Sequence, residues 1–169
     1  LVSIMLVNNE TGVIQPIEEV LKLCSDRNIP LHVDCVQGLG KLKLDFKSLF
    51  EGINIPVYIT FSGHKLGSPK GVGFLYIHGE GQILFPIIHG KQQKQLRGGT
   101  ENPFSIYLLG RLMQLVKEGK AGFPSSLEKM RNEFETQLKN KIPGTMIHGE
   151  GAKRICNTSY VGFEGTDGD

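Results

Sequence analysis

Apolar positions in this chain alternate between short dense runs and helical repeats. Residues 2–7 form a dense run and read as a buried strand. Asn8-Asn9-Glu10-Thr11-Gly12 then has turn composition. Ile17, Val20, Leu21 and Cys24 recur at helical spacing over residues 17–27. Pro16 suits the first turn of that helix, where its missing N–H costs nothing, and Asn28 and Pro30 end it. Residues 31–33 predict a short strand that stops at Asp34, residues 45–50 a brief helix, and residues 57–61 and 73–77 two further strands. Strand, helix, strand in this order predicts crossover units and a largely parallel sheet.

The second half is more helical. Ile106, Leu108, Leu109, Leu112, Leu115 and Val116 predict an amphipathic helix over 104–118. Residues 120–125 read as a linker, and Ser125 or Ser126 is placed to cap a second helix near 127–140. Ile147-His148 and residues 159–163 read as strands of a smaller α+β unit. The expected division is therefore 1–119, part of a large α/β domain, and 120–169, the start of a small C-terminal domain that is cut short.

Composition narrows the function classes. Hydrophobic residues at 39% and charged residues at 21% are an ordinary globular balance. A formal charge of +2 gives no nucleic-acid signal. The clump Lys91, Lys94 and Arg97 sits in a glutamine-rich loop without a basic stripe or an aromatic platform. The three cysteines, Cys24, Cys35 and Cys156, have no C-x-x-C spacing, which suggests neither a disulfide framework nor zinc and points to a reducing compartment. That compartment is expected to be the cytoplasm, or an organelle reached by a targeting segment outside this chain. No apolar run is long enough to span a bilayer. Residue 1 is Leu inside an apolar run, so the chain is expected to be a piece of a longer protein.

The candidate chemistry lies where strands end. In open α/β sheets ligands sit beyond the carboxyl ends of the strands. Three groups occupy such ends: Asn8 and Asn9, Asp34 with Gln37, and Ser62, His64 and Lys65. An amine becomes a nucleophile when its surroundings depress its pKa, as Schiff-base lysines require. Pyridoxal phosphate needs such a set: a lysine for its aldehyde, a carboxylate for its pyridine nitrogen, amides for its phenolic oxygen, and hydroxyl and imidazole donors for its phosphate. Other readings stand beside this one. Asp34 also suits a turn, and Lys70 is a rival lysine whose flanking Pro69 and Gly71 suggest a surface turn. His32 and Asp34 share a strand face and could begin a metal site, although no third ligand accompanies them. Cys24 fits an apolar helix face. Alternation turns Cys35 away from Asp34 and into the core.

At these residues the chain resembles a known family. It is similar to the class V aminotransferase group of fold-type I pyridoxal phosphate enzymes, and within it to cysteine desulfurases and selenocysteine lyases. The matching stretches are Val7-Asn8-Asn9-Glu10-Thr11-Gly12, His32-Val33-Asp34 with Gln37 and Gly40-Lys41, Ser62-Gly63-His64-Lys65, Pro69-Lys70-Gly71-Val72-Gly73, and Leu96-Arg97-Gly98-Gly99-Thr100-Glu101-Asn102. The resemblance implies an α/β, fold-type I architecture with a mainly parallel sheet and flanking helices. It implies Lys65 as the lysine that binds the cofactor covalently, and Asp34 as the partner of the pyridinium nitrogen. It implies Asn9 and Gln37 on the phenolic oxygen, and Ser62 and His64 on the phosphate. It implies that Thr100 reaches the phosphate of a neighbouring subunit, hence a homodimer, and it places Arg97 in a substrate-side motif.

The implied activity is conversion of L-cysteine to L-alanine with sulfur left as a persulfide, passed on to an acceptor for iron–sulfur clusters or thio-modification. Selenocysteine lyase, another class V aminotransferase or lyase, and an inactive truncated homologue are the alternatives. The family's sulfur-accepting cysteine belongs to a loop beyond 157–165, and none of Cys24, Cys35 and Cys156 matches it. Residues 51–56 look like a short insertion. Lys91-Gln92-Gln93-Lys94-Gln95 stands where the family is usually richer in glycine.

Overall fold

The computed structural model describes residues 1–79 and 88–167. Four strands, β1 (Val2–Met5), β2 (Leu31–Asp34), β3 (Val57–Ser62) and β4 (Gly73–His78), form a sheet in that order among the described residues. β1, β2 and β3 run parallel, and β4 returns antiparallel on the edge. Helix α1 (Ile17–Asp26) makes the crossover from β1 to β2, and the short α2 (Phe46–Leu49) lies between β2 and β3. The mainly parallel α/β architecture expected from the sequence is the one found.

Period-two alternation decides which sheet face is covered. Leu31, Val33, Val57, Ile59 and Phe61 point to one face and are buried with Ile17, Leu21 and Cys24 of α1. Each such side chain contributes about 1.5–3 kcal/mol on burial. Phe46 of α2 stacks on Phe50 at 5.7 Å between ring centroids and meets Phe61 edge-on at 5.9 Å, which ties α2 to β3. Cys35 follows Asp34 onto the covered side, as alternation required, and is 1% exposed. Burial, and secondarily the charge of Asp34, push its thiol up to about 12.

The opposite face carries polar groups that bond to one another. Ser3 Oγ lies 2.7 Å from His32 Nδ1, and His32 Nε2 lies 3.1 Å from Thr60 Oγ1, so a polar ladder crosses three strands. His32 is therefore a cross-strand link.

Helix α3 (Pro103–Lys117) begins at Asn102, whose Oδ1 accepts from the Ser105 backbone N–H at 3.1 Å. Ser105 and Leu109 are its buried residues, whereas Phe104 and Tyr107 are 68% and 70% exposed. Helix α4 (Ser126–Lys141) forms where the pattern placed it, but without the expected serine cap. Ser125 has helical backbone angles, and its side chain makes no capping bond. The first-turn amides of Leu127 and Glu128 bond instead to the carbonyls of Pro124 and Ser125.

After α4, β5 (Thr145–Ile147) and β6 (Val161–Phe163) pair as an antiparallel ribbon. The segment between them returns to the first sheet. Ile155 is 1% exposed within the main core, and its N–H donates to Gly12 O at 2.9 Å. Gly12 has φ +74°, and a Cβ there would stand 2.9 Å from Thr158 Cβ, so only glycine allows this approach without strain. The segment is also held from α4. Arg154 makes two 2.7 Å bonds to the Glu135 carboxylate, Ser159 Oγ donates to the same carboxylate at 2.8 Å, and the Arg131 guanidinium reaches Ile155 O.

Candidate active site

The site forms at the carboxyl edge of the parallel strands. Asp34 closes β2 in register with Thr60 of β3 and Met5 of β1. Its Oδ1 accepts from the Val36 N–H at 2.8 Å, which turns the chain off the sheet. β3 runs two residues further, to Ser62, and then tightens into a 3₁₀ turn over Gly63–Leu66 that carries His64 and Lys65. Gly67, with φ +100°, ends that turn. Asp34 and Ser62 thus stand on adjacent strands at the same edge, and His64 and Lys65 are exposed immediately beyond.

Two pairings organise the edge. Ser62 Oγ and His64 Nδ1 are 2.7 Å apart, which holds hydroxyl and imidazole as one corner. Gln37 Oε1 accepts from Lys41 Nζ at 2.7 Å. Burial, and then the like charge of Lys65, push the Lys41 amine below the usual lysine range, while Cys156 opposes them. Lys41 thus touches Gln37 and lies near enough to Lys65 to feel its charge. The segment 155–158 closes on the same edge from the side of the Asn8–Gly12 turn.

Asn8 and Asn9 divide their work. Asn8 Oδ1 accepts from the N–H groups of Glu10 at 3.0 Å and Thr11 at 2.9 Å, and from Thr11 Oγ1 at 3.1 Å, so it builds the turn. The Asn9 side chain is exposed and makes no hydrogen bond among the described residues. Arg97 and Thr100 lie on the loop before α3 and make no bond to Asp34, Ser62, His64 or Lys65 among the described residues. Arg97 Nη1 donates to Gly98 O at 2.6 Å, and Thr100 is exposed. In the same loop Gln93, Lys94 and Gln95 have φ of 46°, 57° and 66°, a left-handed stretch built without glycine.

The donor set fits pyridoxal phosphate. It combines an exposed amine, a carboxylate on the adjacent strand end, an outward amide and a hydroxyl–imidazole corner suited to an anion. The buried Ser68 Oγ has no hydrogen-bond partner among the described residues, but it stands behind Gly63, where a Cβ would meet it at 3.1 Å. It belongs to the packing of the 63–72 turn.

Residues 1–168 match the family model of the class-V aminotransferases. The chain belongs to that family. The family depends on pyridoxal phosphate, so the cofactor implied by the motifs stands. Among curated proteins the chain is similar to a cysteine desulfurase of Trichormus azollae, 36% identical over 169 residues that make up 100% of this chain and 41% of that protein. It is also similar to the cysteine desulfurase IscS of Methanosarcina thermophila, 37% identical over 170 residues, again 100% of this chain and 40% of the other. Among solved structures, the X-ray structure of a NifS-like protein from Rickettsia africae superposes with TM-score 0.83 at 32% identity, covering 98% of this chain and 44% of that one. The chain spans about two fifths of the length of the curated relatives it matches.

Lys41 is a partner of the candidate residue Gln37 that no sequence signal singled out. It was visible only as part of Gly40-Lys41 in a matching stretch. The Glu135–Arg154 pair behind residues 155–158 gave no local signal, because its members come from different elements.

Proposed function

We propose that the protein of which this chain is part is a pyridoxal phosphate-dependent cysteine desulfurase acting on L-cysteine as a homodimer. The observation that carries the reading is the shared edge. Asp34 ends β2, Ser62 ends the adjacent parallel β3, and His64 and Lys65 follow within one 3₁₀ turn. Cysteine desulfurase relatives at 36–37% identity across the whole chain support the substrate class.

Bound pyridoxal phosphate supplies an electron sink for carbanion chemistry at the amino acid. Lys65 would hold it through its amine and would carry protons at the substrate α-carbon. Asp34 keeps a proton on the pyridine nitrogen. Gln37 and Asn9 orient the ring through its phenolic oxygen, and Ser62 and His64 bind the phosphate. Arg97 serves the substrate side, and Thr100 reaches the partner subunit's site. Cys24 and Cys35 are buried and do not serve as sulfur acceptors. The product is alanine, and the sulfur leaves to an acceptor thiol and from there to an acceptor protein, with iron–sulfur cluster assembly as the use. The same proposal divides the chain into a large-domain part, 1–119, and a small-domain part, 120–169.

The test is titration with pyridoxal 5'-phosphate, followed by visible absorption, for the wild type and Lys65→Ala. The wild type is expected to develop a band that survives gel filtration, and Lys65→Ala to lose it. Identical spectra would overturn the lysine assignment. Alanine formation from L-cysteine is measured on the gene's full-length product, and its absence with cofactor bound would overturn the substrate.

A further inference from the structure

Lys41 touches Gln37 and feels the charge of Lys65, yet the cofactor chemistry above leaves it without a task. Its Nζ stands 2.7 Å from Gln37 Oε1 and 5.1 Å from the centroid of the Phe123 ring. Phe123 is brought there by its own N–H, which donates to Gly40 O at 3.2 Å. Gly40, Leu66, Gly122 and Phe123 line a pocket together with Lys41, and Leu66 directly follows Lys65. The amine is therefore held between an amide and an aromatic face rather than swinging in solvent.

An ammonium donates three hydrogen bonds and accepts none. The Gln37 atom it touches is therefore the carbonyl oxygen. A glutamine amide has ends of opposite polarity and nearly equal shape, so nothing steric prevents their exchange. With the oxygen taken by Lys41, the NH₂ group is the end left free for another partner. A phenolate oxygen accepts hydrogen bonds and donates none, so it needs that end.

We propose that Lys41 is a positioning residue that fixes the polarity of the Gln37 amide, so that its NH₂ end faces the acceptor oxygen of the cofactor ring. The role rests on Gln37 being a ring contact. Lys41 acts through Gln37 and does not touch the reacting atoms. Without it the amide samples both orientations, and one of them sets oxygen against oxygen.

The test compares wild type, Lys41→Met, Lys41→Arg, Gln37→Ala and the double variant Gln37→Ala/Lys41→Met. Each is titrated with pyridoxal 5'-phosphate by visible absorption, and its fold is checked by far-ultraviolet circular dichroism. Lys41→Met is expected to weaken binding about tenfold, the size of one lost charge-assisted hydrogen bond, and to shift the absorption maximum. Lys41→Arg, which still donates, is expected to restore both. In the Gln37→Ala background Lys41→Met is expected to cost less than about twofold, because the amide it orients is gone. Where Lys41→Met loses its dichroism, Lys41→Leu, which likewise donates nothing, is read in its place with the same expected loss. Wild-type binding and an unshifted band in the neutral variant would overturn the proposal, as would an undiminished cost in the Gln37→Ala background. If the wild type binds no cofactor, the pyridoxal phosphate reading fails first and this role falls with it.

Discussion

Neutralising Glu135 tests how the segment beside the site is held. The Glu135 and Arg154 side chains are 10% and 7% exposed, and two 2.7 Å bonds join them. Ser159 adds a third bond at 2.8 Å. Glu135→Gln keeps the shape but turns one acceptor into a donor that faces the guanidinium, and it leaves a buried cation without its counter-charge. Breaking a buried pair from one side costs about 3–5 kcal/mol. Because glutamine retains one acceptor, the expected loss lies near the lower figure, about 3 kcal/mol. The bond from Arg154 is the main reason the Glu135 carboxyl is held below the usual carboxylate range; burial opposes it, and Ser159 and Arg131 add to it.

The sign follows from that depression. A carboxyl whose folded pKa lies below its unfolded value of about 4.3 stabilises the fold above that value and loses the contribution as pH falls through the folded one. The difference between wild type and Glu135→Gln is thus expected to be complete at neutral pH and to shrink under acid conditions. Urea unfolding at a series of pH values measures it. Far-ultraviolet circular dichroism is the signal, because the chain has no tryptophan. Glu133→Gln is the control: its pair with Lys129, at 3.8 Å and with side chains 59% and 81% exposed, is expected to show no measurable effect. A loss under about 1 kcal/mol at neutral pH, or a difference that persists unchanged into acid, would refute the claim that this pair holds residues 154–159.

Two further outcomes follow from burial and backbone geometry. With its thiol pushed up to about 12 and 1% exposed, Cys35 is expected to resist maleimide in the folded protein and to react once urea is added, while half-buried Cys156 reacts without it. Peptide mass mapping reads this, and rapid folded-state labelling of Cys35 would contradict the packing. Lys94, at φ 57°, is expected to gain about 0.5–1 kcal/mol on replacement by glycine and nothing on replacement by alanine. Urea midpoints compare the two, and equal effects would show that left-handed strain is not what the position carries.

What the sequence makes legible is what depends on local period. The runs ending at Asp34 and Ser62 give strands whose ends share one edge of the sheet, where the candidate site lies, and alternation alone places Asp34 and Cys35 on opposite faces. What escapes it depends on register or on distant packing. His32 lies two residues before Asp34 on the same face, which suggested a shared ligand, yet its ring nitrogens meet Ser3, its register partner on β1, and Thr60, diagonal to it on β3. The Ser125 cap failed because neighbouring carbonyls took the first-turn amides. Lys41 gained its setting from Phe123, a residue whose approach to Gly40 no local pattern announces. The glutamine-rich stretch before Arg97 did carry a signal: where glycine was expected, ordinary residues hold glycine's backbone angles.

The 2.7 Å contact between Ser62 and His64 has a consequence for proton inventory. With the imidazole neutral, the two side chains own two mobile hydrogens, one on oxygen and one on nitrogen. One is spent inside the pair. If the hydroxyl points at the ring, Nε2–H remains to face outward; if Nδ1–H points at the hydroxyl, the oxygen's own hydrogen is released. Either tautomer leaves a single outward donor, so an arriving anion always meets a proton, and the tautomer decides only which atom offers it.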